Sequence, residues 1–185
     1  MDNDQPIYPS DPSYEDMDKQ SNLSNKQQIN ETLNKCYMLT GLAKLKGINQ
    51  YISDITENEC KFLIFAHHTE VMDGIQTELI RLKLNYIRID GSTSMNKRHD
   101  LVQQFQENPI IRIALLSICA TGIGLTLTAA STILFAEMNW TPAIMLQAED
   151  RAHRIGQVSS VNCHYLYGGG TLDDKLYSKL DHKLV

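Results

Sequence analysis

Residues 113–136 read IALLSICATGIGLTLTAASTILFA, with no charged side chain among them. The run is long enough to cross a bilayer, so its nature decides the class of the fold. Its apolar residues cluster at the two ends, while Gly122, Gly124 and the hydroxyls of Ser117, Thr121, Thr126, Thr128, Ser131 and Thr132 interrupt the middle. A membrane helix has no use for that distribution. Two buried parallel strands joined through a glycine turn and a short helix do, and no membrane partner is expected.

The flanking sequence repeats the pattern. Upstream, Lys61–Ala66 contains the compact run Phe62-Leu63-Ile64-Phe65 and reads as a buried strand. Thr69–Lys83 follows as a helix with Val71, Ile75, Leu79 and Leu82 on one face, Glu70 early and Arg81 and Lys83 late, as a helix dipole favours. Tyr86–Ile89 is a strand that exits sharply at Asp90-Gly91-Ser92, and Ser94 caps a helix whose Leu101, Val102 and Phe105 face the core. Asn108-Pro109 stops that helix, and Ile111–Ile118 is the next strand. Downstream come a strand at Thr132–Ala136, a helix from Pro142 to about Arg154, a strand at Val161–Tyr167 and a last helix, opened by a capping box of Thr171 and Asp174 and ending near Lys183. Strand and helix in alternation predict one α/β domain, a parallel sheet with helices on both faces and ligand-facing loops at the carboxyl ends of the strands.

Leu39, Leu42, Leu45, Ile48, Ile52 and Ile55 recur at three and four, which predicts an amphipathic helix over Lys35–Ile55 with a possible break at Gly41. Residues 1–34 carry Pro6, Pro9 and Pro12 among polar residues and no apolar cluster, so a disordered acidic tail is expected there, with the folded domain over 35–185. The tail holds seven acids against two lysines and accounts for the whole net charge of −5. Overall charge therefore gives no support for nucleic-acid binding, although a local basic strip is compatible with it. Cys36, Cys60, Cys119 and Cys163 form no C-x-x-C pair and follow no secretory signal, and the adjacent His67 and His68 have no partner cluster; reduced thiols and no metal site are expected.

Three stretches hold candidate chemistry. On the helix after Pro142, Gln147, Arg151 and Arg154 stand at i, i+4 and i+7 and share a face. One amide and two guanidinium forks suit a polyphosphate, although the same residues are compatible with a solvated face on which Asp150 pairs with Arg154. Gly122 and Gly124 follow a buried strand, where glycines let backbone N–H groups approach a phosphate; a tight turn with no ligand is the alternative. The hydroxyls of Ser92 and Thr93 beside Asp90 and Gly91 can position a phosphate backbone without reading sequence, and an ordinary turn with an Asx cap gives the same string.

The strings add more than the spacing. Gln147 to Gln157, Gln-Ala-Glu-Asp-Arg-Ala-His-Arg-Ile-Gly-Gln, resembles motif VI of the superfamily 2 helicases and translocases in the form typical of the Swi/Snf-type branch. Ser117–Thr126 is similar to motif V, Phe65-Ala66-His67-His68 to motif IV, and Arg88–Thr93 to the I-D-G-S-T segment after it. Thr126 in place of the usual Asn, and Glu137 in place of the usual Asp before Trp140-Thr141-Pro142, look like the HepA-related and zinc-finger Ran-binding annealing helicases. The likeness covers roughly Thr40 to Leu180. It implies a RecA-like lobe, with Arg151 and Arg154 as catalytic arginine fingers and Gln147, Gly122 and Gly124 on the nucleotide side. It also implies His67, Asp90, Gly91, Ser92, Thr93 and Ser117 on a DNA backbone.

The resemblance further implies ATP with Mg²⁺ shared with a first lobe, action on branched DNA such as stalled forks, and a nuclear location. The sequence contains neither G-x-x-x-x-G-K-[ST] nor D-E-x-H, so the phosphate loop and the Mg²⁺-binding acid must come from elsewhere, and the chain by itself is not expected to hydrolyse ATP. The alternative expectation is a truncated relative that binds DNA or protein without catalysis. A small-molecule enzyme on a dinucleotide-binding fold fits less well, since Gly122-x-Gly124 lacks the third glycine and Glu137 is poorly spaced to hold a ribose.

Overall fold

In each central strand, successive side chains enter two different buried layers. Leu63 and Phe65 belong to one, with Ile87, Ile89, Leu116, Ile133 and Phe135, while Phe62, Ile64 and Ala66 belong to the other, with Ile113, Leu115 and Leu134. A strand buried on both faces reads as a continuous apolar run rather than an alternating one, which is why FLIF and IALL were legible as strands. In a computed structural model, residues 14–57, 60–122, 127–150 and 160–184 are described. The elements are α1 (Tyr14–Thr56), β1 (Phe62–Ala66), α2 (Thr69–Arg81), β2 (Tyr86–Ile89), α3 (Met95–Glu107) and β3 (Ile113–Ser117). A 3₁₀ helix (Ile118–Gly122), β4 (Thr132–Phe135), α4 (Pro142–Glu149), β5 (Asn162–Tyr165) and α5 (Asp173–Leu184) complete them.

The five strands form one parallel sheet in the order β2-β3-β1-β4-β5. Ile48, Ile52 and Ile55 of α1 and Val71, Met72, Ile75 and Leu79 of α2 cover one face; Phe105 of α3, Met145 and Ala148 of α4 and Leu176 and Leu180 of α5 cover the other. The expected parallel α/β architecture, with helices on both faces, is what the chain forms. Phe62, Phe65, Phe105 and Phe135 are fully buried, and deletion of any such ring costs about 3–5 kcal/mol.

Contacts divide the chain into two units, Met1–Cys36 and Tyr37–Val185. In the first, residues 25–34 are helical and exposed. Helix α1 thus begins upstream of Lys35, where the apolar periodicity begins: residues 14–34 contain no proline or glycine to interrupt helix, and no apolar stripe to announce it. The helix also runs unbroken through Gly41, so the possible break considered there does not form.

Termini and caps hold the elements in place. Helix α2 ends with Leu84 N–H donating to Leu79 O and with Lys83 in the left-handed region at φ 55°, a closure that usually falls to glycine. Lys61 donates from Nζ to Phe105 O and Asn108 O, so a cation closes the carboxyl end of α3. The capping box at α5 forms one residue out of register: Thr171 Oγ1 accepts from Asp173 N–H (3.2 Å), and the Asp174 carboxylate accepts from Gly170 N–H (3.1 Å). Asp173, 1% exposed, pairs with Lys44 of α1 at 2.7 Å.

Candidate functional site

The register sets the geometry of the carboxyl edge. Ala66 lies opposite Ser117 and Ile89 opposite Leu116, so His67, Asp90 and Ser117 leave three adjacent strands side by side. Three of the stretches singled out in the sequence therefore meet at one edge.

The loop after β2 is closed on itself. Asp90 Oδ1 accepts from Ser92 N–H (3.0 Å), Ser92 Oγ–H (2.6 Å) and Thr93 Oγ1–H (3.3 Å), and Oδ2 accepts from Arg88 Nε–H (3.0 Å). The Ser92 hydroxyl, the Arg88 guanidinium and the Ser92 amide hold the Asp90 carboxyl down at about 2. Arg88 reaches on to Asp73 at 2.6 Å and to Gln76, tying the loop to α2. Asp90 is thus occupied in shaping the turn. Gly91 is exposed, an added Cβ there would meet nothing within 4 Å, and its backbone lies outside the left-handed region. Neither packing nor conformation within this chain demands a glycine at that point.

A second cluster fills the crevice between the carboxyl ends of β1 and β4, where chain connections leave in opposite directions and open α/β sheets commonly bind ligands. Glu137, 1% exposed, accepts from His67 N–H (2.8 Å) and His68 N–H (2.9 Å), and His68 Nδ1–H donates to its other oxygen at 2.6 Å. A carboxylate only accepts, so Nδ1 of His68 carries the proton. Tyr37 of α1 stacks on His67 with centroids 5.0 Å apart, meets His68 edge-on and donates its hydroxyl to Met138 O. Burial and the Glu137 carboxylate push the Tyr37 phenol far above its ordinary range, so it stays protonated. Burial and the neighbouring His68 lower His67 instead, leaving it neutral at pH 7, with Nδ1 at 3.5 Å from both Cys119 Sγ and Asn139 Nδ2. Gly41 is buried against this cluster: a Cβ there would strike the Glu137 carboxylate and come within 2.8 Å of Val71.

Of the residues expected on the nucleotide side, Gln147 lies exposed on α4, which packs on the 3₁₀ helix carrying Gly122. Gly124, Arg151 and Arg154 lie outside the described residues. Three residues that complete the site escaped the sequence reading. Tyr37 stood outside any motif, and Arg98 of α3, buried with its donors on Asp90 O and Thr93 O, was not singled out at all. Glu137 registered only as a departure from a family pattern, yet a lone charge between Phe135-Ala136 and Met138 was a usable sign of a buried, partnered carboxylate.

The model of the helicase conserved C-terminal domain matches residues 43–156. The human DNA annealing helicase and endonuclease ZRANB3 is 44% identical over 92% of the chain, which spans 16% of that protein. The SWI/SNF-related matrix-associated actin-dependent regulator of chromatin subfamily A-like protein 1 of Xenopus laevis is 46% identical over 88% of the chain and 17% of its own length. The chain thus spans about a sixth of the length of these curated relatives. Among solved structures, the C-terminal part of the Fun30 ATPase domain superposes with a TM-score of 0.69 at 32% identity, over 74% of this chain and 44% of that one.

Proposed function

Because the chain belongs to the helicase conserved C-terminal domain family, in its Swi/Snf-type branch, we propose that it is the second lobe of an ATP-dependent DNA translocase of the annealing-helicase kind. The observation that carries this reading is the alignment of His67, Asp90–Thr93 and Ser117 on three adjacent strand ends. An edge of that kind follows a sugar-phosphate backbone and does not read bases. Within it, Asp90 is the scaffold of its loop, and Gly91, with no side chain and open space above it, is where a phosphate comes closest to the backbone. His67 and Ser117 extend the contact to the neighbouring strands.

Gln147 on α4, with Gly122 and Gly124, faces the nucleotide side, and Arg151 and Arg154 act as arginine fingers on ATP held by a first lobe. Among the described residues, no three of His, Cys, Asp or Glu gather to hold a metal ion. We assign Mg²⁺ and the phosphate cradle to the first lobe because the G-x-x-x-x-G-K-[ST] and D-E-x-H strings that supply them are not in this sequence. Branched DNA and stalled forks are the proposed substrates, and the nucleus the proposed location.

The test is DNA-stimulated ATP hydrolysis by the chain mixed with a first lobe from an annealing-helicase relative. Turnover on mixing should fall by about three to five powers of ten in Arg151→Ala or Arg154→Ala. Undiminished turnover in both variants removes the finger role. DNA binding with no turnover on mixing favours a non-catalytic binding module.

A further inference from the structure

Arg98 sits on α3, close behind its N-cap Ser94, and is 6% exposed, yet no carboxylate among the described residues pairs with it. Its donors go to backbone carbonyls instead. Nε–H donates to Thr93 O at 2.7 Å, Nη2–H to Asp90 O at 2.8 Å, and Nη1–H points to Ala120 O at 3.5 Å. Burying a guanidinium without a counter-charge is costly, and an apolar side chain would pack α3 against the sheet with less penalty. What the planar fork supplies, and an apolar side chain does not, is a fixed geometry between carbonyls on separate segments.

Two of those carbonyls bound the Asp90–Thr93 loop at its start and end. The third belongs to the 3₁₀ helix after β3, the segment that leads into Gly122 and packs on α4. We propose that Arg98 is the positioning residue that couples the loop after β2 to the 3₁₀ helix, so that the DNA-facing loop and the nucleotide-side segment shift as one body. This role rests on the reading of those segments given above. The 3.5 Å contact lies at the outer limit of a hydrogen bond, whereas the two loop contacts are short. The Ala120 end of the fork is therefore the weaker of its two attachments, and the coupling depends on it.

Amide hydrogen exchange on the chain, paired with anisotropy titration of a fluorescein-labelled random-sequence duplex, tests the coupling. Arg98→Lys is the informative variant, since it keeps the charge and the stem but loses the fork; Arg98→Gln serves as the neutral control. In Arg98→Lys, exchange should rise together, by about tenfold or more, at 90–93 and at 118–120, with β1 and β4 protected as before. Duplex affinity should fall by about fivefold to tenfold. Acceleration in only one of the two segments, wild-type exchange in both, or loss of protection across the whole sheet in both variants overturns the coupling role. Joint acceleration in a chain that binds no duplex upholds the coupling and removes the DNA reading. Duplex binding by wild type with uncoupled segments does the reverse.

Discussion

Glu137 is a carboxylate almost without water, accepting from two backbone N–H groups and one imidazole. Glu137→Ala removes the shared acceptor of three half-buried donors and should lower stability by about 1–3 kcal/mol, read as an earlier urea midpoint; Glu137→Gln, which keeps one acceptor, should lose less. Gly41 belongs to the same account. Local pattern suggested a helix break, but the glycine is there because the Glu137 carboxylate occupies the space of a Cβ. No local rule sees a partner so far along the chain, and that is why the glycine was misread. Asp90 gives the pH counterpart. Its pKa is about 2, below the ordinary 3.8, so the loop's stabilisation is complete above about pH 4 and is lost as pH falls through 2. An NMR titration of the Ser92 amide should show its midpoint near 2 and stay flat from pH 5 to 8.

At the scale of elements, short apolar runs gave β1, β3 and β4, because strands buried on both faces must be apolar throughout. The partly buried outer strands β2 and β5 carry Arg88, Asn162 and His164 and were legible through their place in the alternation with helices. Helix limits were less legible wherever tertiary contact or its absence decided them. Helix α2 stops two residues before Lys83 because Lys83 takes a left-handed turn, and α1 extends upstream of Lys35 through residues 25–34, which are exposed. Gly47 shows what α1 lacks. It is exposed in the helix interior, and a Cβ there would meet nothing within 4 Å. Gly47→Ala should therefore stabilise the protein by about 1 kcal/mol, measured as a rise in Tm; a fall would mean that some partner closes on that face.

For the molecule as a whole, the alternation of strand and helix sufficed for the architecture, and the motif strings located the edge on which function is proposed. Backbone register then set His67, Asp90 and Ser117 beside one another, which sequence spacing by itself does not reveal. The supporting residues were harder to read. Arg98 and Tyr37 act through atoms distant in sequence, and their types are unremarkable on an amphipathic helix.

The strand order has a consequence for how the chain reaches its native state. β1 is the middle strand, and both of its partners, β3 and β4, follow it at long sequence separation. The β4-facing side of Phe62–Phe65 must therefore stay unpaired, even after Ile113–Ser117 is available on the other side, until Thr132–Phe135 has been synthesised. A topology of such high contact order folds slowly, and during that interval an apolar strand has no native partner on its β4 side. A nascent chain stalled before Thr132 is accordingly a client for chaperones or proteases rather than a small folded domain.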